Sequence, residues 1–118
     1  MCVHTADALG ALNRRAEALD RLREAVQLRP DYWEARYFMG VELALQDRIA
    51  EAREQFAEVV RLQPNYALGH LNLGVALAKQ GRLDDALVQF RETLRLDPRN
   101  KLAQQHRETI ESLKSRGP

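Results

Sequence analysis

The chain holds a single cysteine, Cys2, so no disulfide can close within it, and this residue belongs to no metal-ligand spacing. A lone thiol suits a reducing compartment, and a cytoplasmic location is the expectation. No apolar run approaches the ~20 residues that span a bilayer, and "MCVHTADALGALNRR" lacks the basic-then-apolar order of a secretory signal. Membrane insertion is therefore not expected. Charge of one sign is also missing: 18 Lys and Arg face 17 Asp and Glu, a net charge of +1, which gives nucleic acid no long-range field to follow. Catalytic patterns are absent too. The histidines His4, His70 and His106 are scattered, and there is no HExxH, no phosphate-cradling glycine loop and no cysteine–histidine arrangement of a known type. The expectation is a chain that is not an enzyme and carries neither cofactor nor metal.

What is present is recurrence. Pro30, Pro64 and Pro98 stand 34 residues apart, in the related phrases "QLRPDY", "RLQPNY" and "RLDPRN". Aligned on these prolines, the residues fall into columns: Ala6, Gly40 and Gly74; Leu9, Leu43 and Leu77; Ala18, Ala52 and Ala86; Leu22, Phe56 and Phe90; Leu28, Leu62 and Leu96. Large apolar residues recur at helical spacing, and small ones fall where two backbones must come close. Each unit therefore reads as a pair of helices.

The punctuation divides each pair. Asn13, Asp47 and Gly81 share a column between the two helices, and these residue types tolerate the left-handed conformation that ends a helix. Acidic residues (Glu17, Glu51, Asp84, Asp85) open the second helix and arginines (Arg29, Arg61, Arg95) lie near its end, each suited to the dipole it meets. The proline then excludes helical geometry from the residue before it. In "PDYWE", Asp31 is placed to cap the next helix with Glu34 reaching back. The pattern predicts an all-α chain with helices near 4–12, 15–28, 32–46, 49–62, 66–80, 83–96 and 100–115.

A 34-residue helix–turn–helix period resembles the tetratricopeptide repeat. The match is carried by "LNLGVALAKQGRLDDALVQFRETLRLDP", with Leu73-Gly74, Leu77, Gly81, Ala86, Phe90, Leu94, Leu96 and Pro98, and by Met39-Gly40, Leu43, Ala52, Phe56, Leu62 and Pro64 one unit earlier. The resemblance implies a right-handed superhelical array of antiparallel helix hairpins forming a single domain over 1–118. Its parts are a truncated first repeat at 1–30, a second at 31–64, a third at 65–98 and a capping helix at 99–115. The first repeat departs from the pattern, with Thr5-Ala6 in place of Leu-Gly. The family's large aromatic before the Leu-Gly pair is replaced by Arg36 and His70. In the last helix Leu102, Ala103, His106, Ile110 and Leu113 form an apolar side, with His106 expected to pack on the third hairpin.

In such an array the first helices line a concave groove. The resemblance places Tyr37, Phe38, Val41, Leu45, Leu71, Asn72, Val75 and Lys79 in it, with Tyr37, Val41, Leu45, Leu71 and Val75 as exposed apolar surface. Exposed patches of this kind mark binding sites. The expected role is a protein–protein interaction module that takes an apolar or amphipathic peptide, with an acidic group meeting Lys79 and Asn72, and is part of a larger protein or complex. The alternatives are self-association into a homo-oligomer, or an RNA-binding helical repeat, which the near-zero charge disfavours. The lysine and asparagine clamp by which some relatives hold acidic chaperone tails is missing: Val3, Asp7, Phe38 and Leu68 stand there, and only Asn72 matches. Arg14, Arg48 and Arg82 form a column, each with an acidic residue three positions on, and read as solvated ion pairs rather than a phosphate site.

Overall fold

The computed structural model describes residues 3–116, with side chains from residue 14 onward. Among the described residues there are six helices and no strand: α1 Val3–Leu28, α2 Trp33–Leu45, α3 Ile49–Leu62, α4 Ala67–Lys79, α5 Leu83–Leu96 and α6 Lys101–Ser115. The substantial helix contacts all join consecutive elements, the quasi-one-dimensional order of a repeat array. A globule of this length has a radius of gyration of about 13.5 Å, whereas this chain measures 16.3 Å. The helices are therefore stacked along an axis as a solenoid of successive hairpins.

Two hairpins, α2–α3 and α4–α5, are built alike. Asp47 and Gly81 both have positive φ, 61° and 78°. Around each, the chain reverses with a matched pair of backbone bonds: Arg48 N–H to the Leu43 carbonyl and Asp47 N–H to Ala44, then Arg82 to Leu77 and Gly81 to Ala78. This double bond is the Schellman ending, and it satisfies carbonyls that a helix terminus otherwise leaves open. Inside the hairpins Ala52 and Ala86 are wholly buried, as is Phe90, and Phe56 is nearly so. Asn100 caps α6 by accepting the Ala103 N–H at 2.9 Å.

Three expectations are corrected here. Asn13 ends no helix: α1 runs unbroken through it. A left-handed turn is stabilised by the two helices that pack across it, and the first unit lacks the Leu-Gly pair that lets them close. Continuing the helix then adds one backbone bond per residue without a costly new nucleus. Asp31 does not cap α2, which starts two residues later behind Tyr32 with no side-chain cap bond. The Tyr32 N–H closes a turn onto the Arg29 carbonyl and leaves Asp31 inside it. On α6, Ala103 and Ile110 are buried and His106 stacks on Phe90 at 4.9 Å between centroids, but Leu102 and Leu113 are about half exposed. Among the described residues α6 packs chiefly on α5, which leaves them uncovered. The residues Cys2, Val3, His4, Ala6, Asp7, Leu9 and Leu12 lie outside those whose side chains are described.

Candidate functional site

The two departures at Arg36 and His70 belong to a three-member column. Arg36 Nε donates to the Pro30 carbonyl at 2.8 Å, His70 Nε2 lies 2.7 Å from the Pro64 carbonyl, and Gln104 Nε2 donates to the Pro98 carbonyl at 2.8 Å. A carbonyl only accepts, so the His70 nitrogen at Pro64 carries the proton. Arg36 and His70 also reach equivalent residues of the second helix, Gln55 and Gln89. Each junction is thus tied by a polar donor, and at Arg36 and His70 that donor stands where the family's aromatic was expected. The signal was in the sequence: three donors, each six residues after a proline.

These ties fix how α2 and α4 are presented. Tyr37 is half-buried, with its ring edge-on to Phe38, Phe56 and Tyr66 at centroid distances of 5.7, 6.0 and 5.4 Å. Its hydroxyl accepts from Asn72 Nδ2 at 3.0 Å, so two of the predicted groove residues meet and form a post between α2 and α4. Burial pushes the Tyr66 phenol above its ordinary range, helped by the neighbouring Tyr37.

The other predicted residues divide. Phe38 and Leu45 are each 56% exposed, and Lys79 is exposed at the end of α4. Val41 and Val75 are half-buried and pack against the core. Leu71 contradicts its assignment as exposed surface: it is only 6% exposed and belongs to the core cluster. The cause is the position of α4, which packs on both α3 and α5 and buries seven residues. Lys79 and Asn72 do not converge either, since seven residues along a helix is about 10 Å.

Residues outside the predicted set complete the surface. Leu68, Leu102 and Leu113 are exposed large hydrophobics, and with Phe38 and Leu45 they place five such residues on α2, α4 and α6. Their numbers repeat: Leu68 and Leu102 differ by one period, Leu45 and Leu113 by two. Ion pairs lie on the intervening helices, Arg48–Glu51 and Arg82–Asp85 as expected, together with Arg61–Glu58 and Arg95–Glu92. Arg14 and Glu17 are both exposed, and among the described residues no ion pair joins them. Glu58 and Glu92 are held below the usual carboxylate range, first by their hydrogen bonds to Arg61 and Arg95. Among the described residues no three His, Cys, Asp or Glu side chains gather as a metal-binding group, and no helix is long and apolar enough to cross a membrane.

A sequence model of the tetratricopeptide repeat matches residues 5–67 and again 42–101. The chain belongs to the tetratricopeptide repeat family. Solved tetratricopeptide structures share its fold. MamA superposes with a TM-score of 0.82 at 23% identity, over 86% of this chain and 59% of MamA. YrrB, a tetratricopeptide protein with an unusual peptide-binding site, does so with a TM-score of 0.73 at 31% identity, over 85% of this chain and 52% of YrrB. The first tetratricopeptide domain of Spaghetti (RPAP3), bound to the HSP90 peptide SRMEEVD, gives 0.83 at 17% identity, over 95% and 89%. The chain thus spans a little over half the length of MamA and YrrB. No curated protein sequence matches it.

Proposed function

We propose that this tetratricopeptide domain, a protein-interaction module by fold, binds an apolar or amphipathic segment of a partner protein across the inner faces of α2, α4 and α6. The observation that carries this reading is that five of the seven exposed large hydrophobics, Phe38, Leu45, Leu68, Leu102 and Leu113, lie on α2, α4 and α6, with Leu68 and Leu102 in one repeat column and Leu45 and Leu113 in another; Leu28 and Val88 lie on α1 and α5. Exposed apolar surface gathered on one side marks a docking site more often than scattered residues do. Tyr37 and Asn72 form a fixed polar post beside it, Val41 and Val75 line its floor, and Lys79 adds one cation at its edge. Arg48, Arg82 and their carboxylates lie on other helices and take no part.

An acidic tail such as SRMEEVD is disfavoured as ligand. Its carboxylates need several cations, and Phe38 and Leu68 stand where a clamp would supply them. A short amphipathic peptide is expected to bind at about micromolar Kd, because ordering the peptide offsets much of the apolar gain.

The probes follow from exposure. Val41 and Val75 support the core, so charges there unsettle the fold; Phe38 and Leu45 are the cleaner sites. A displayed library of amphipathic peptides should yield ligands for the wild type that Phe38→Asp and Leu45→Asp each weaken by about tenfold, or about 1.4 kcal/mol, with helicity unchanged. Retained affinity in both variants, or a preference for SRMEEVD, overturns the reading.

A further inference from the structure

Two repeat columns, about one helical turn apart, change places at the middle of the array. They hold Leu19 and Arg23 on α1, Arg53 and Ala57 on α3, and Leu87 and Arg91 on α5. On α1 and α5 the leucine is buried and the arginine stands further out. On α3 the arginine has moved into the column that is otherwise buried.

The move separates this cation from any acid. Arg23 reaches Glu51 on α3 at 3.6 Å, and Arg91 reaches Glu111 on α6 at 3.5 Å. Arg53 makes no ion pair among the described residues, and its Nε is buried without a hydrogen-bond partner. Its own helix offers no acid either, since the positions three and four residues away hold Ile49, Ala50, Phe56 and Ala57. Taking a guanidinium from water without an acceptor opposes folding, and proteins break local rules of this kind at functional sites.

Beside Ala57 lies a cleft of about 270 Å³, lined by residues of α3, α4 and α5. Leu73 and Leu77 are its buried apolar part, and Val88, 59% exposed, adds an aliphatic rim. Arg53 and Arg82 bring two cations to it against the one carboxylate of Asp85, which Arg82 already holds at 2.9 Å. Leu73 and Leu77 stand about 150° round α4 from the groove residues Leu68, Asn72, Val75 and Lys79, so the cleft is on the side of α4 away from the groove. Pockets for whole small molecules run from about 300 to 1,000 Å³; this one has room for one or two side chains.

We propose that this cleft docks an acidic side chain of a partner protein, Asp or Glu with an aliphatic neighbour, the carboxylate on the Arg53 guanidinium and the neighbour against Val88 and Ala57. The guanidinium fork takes a carboxylate through two parallel hydrogen bonds. This site is separate from the groove on α2, α4 and α6, and either can fail without the other.

The test titrates the isotope-labelled whole chain with the blocked tripeptide acetyl-Leu-Glu-Leu-amide, followed by nuclear magnetic resonance. The Arg53 Nε–H signal and the Leu73, Leu77 and Val88 amides should shift together with a Kd of about 1 mM, while the Phe38 and Leu45 amides stay still. The peptide with Gln in place of Glu should bind about tenfold more weakly. Arg53→Leu should weaken the parent peptide about as much, and so should Arg53→Leu combined with Ala57→Arg, which copies the outer junctions and leaves the net charge unchanged. Phe38→Asp should change nothing. The proposal is overturned by an absence of shifts at the cleft, by equal binding of the Gln peptide, or by undiminished affinity in the combined variant. Isovalerate binding as tightly as the tripeptide overturns it too, because the cleft would then serve a free small carboxylate.

Discussion

A Cβ built on Gly74 would stand 2.7 Å from the ring of Phe90, and one on Gly40 would stand 2.7 Å from that of Phe56. Both rings are buried, so neither can swing aside cheaply. Gly74→Ala sets two effects against each other: better helix propensity is worth about 1 kcal/mol, while overpacking costs about 1–3 kcal/mol. The clash should win, giving a net loss of up to about 2 kcal/mol by urea unfolding. Adding Phe90→Leu should relieve it, because Ala with Leu is the pairing that the first unit carries. A double-mutant cycle should then show coupling of about 1 kcal/mol or more, and plain additivity would disprove the shared-space account.

The bond from His70 to the Pro64 carbonyl makes a second prediction. His70 is 6% exposed, so His70→Leu leaves that carbonyl and Gln89 without their partner and should cost about 1–3 kcal/mol. His70→Gln should recover part of the loss, since Gln104 performs the same service for Pro98. Thermal melts of the two variants decide it. Equal midpoints would mean that the junction does not rely on the bond.

Much of this was legible because it is local. Proline phrases, the left-handed Asp47 and Gly81, the glycine–phenylalanine columns and the Asn100 cap each follow from residue type at fixed spacing, and helices α3 and α5 begin and end where the periodicity put them. What the columns could not show is what lies across from a helix. Leu71 looked like groove surface because its column flanks the core column, yet α4 is packed on both sides. Leu102 and Leu113 looked like core because they share the apolar side of α6, yet among the described residues α6 packs chiefly on α5 and leaves both about half exposed. Asn13 looked like a turn because its column contains turns, but a turn residue only permits reversal; packing across it supplies the stability. Misplacements therefore gather at the two ends of the array and at its most enclosed helix.

Arg53 breaks the column it sits in. Its counterparts Leu19 and Leu87 are 3% and 4% exposed, and its Nε is buried with no hydrogen-bond partner among the described residues. Glu42, whose counterpart is the buried Ala76, also has an unpartnered oxygen, Oε2. Burying an unpaired polar atom opposes folding, so Arg53→Leu should stabilise the domain by about 0.5–2 kcal/mol. Glu42→Ala should act in the same direction. A lower melting midpoint for Arg53→Leu would show that the guanidinium is held by more than its Nε reveals.

Tyr66 joins the two hairpins through its ring contacts with Trp33 and Tyr37, at 4.9 and 5.4 Å, and it supplies a pH dependence. Burial, and then Tyr37 beside it, raise the phenol pKa above its ordinary value of 10.0. An acid whose folded pKa is raised is protonated over a wider range in the folded state than in the unfolded one. Its contribution is therefore whole below the unfolded pKa and is lost as pH climbs through the folded pKa. Stability should hold through neutral pH and fall above about pH 10. Ultraviolet titration of the phenols should find one group ionising late, and Tyr66→Phe should remove it. The same variant should flatten the alkaline fall in stability while changing little at neutral pH. If that fall persists unchanged in Tyr66→Phe, its source is another tyrosine or the lysines, and the junction ring does not control it.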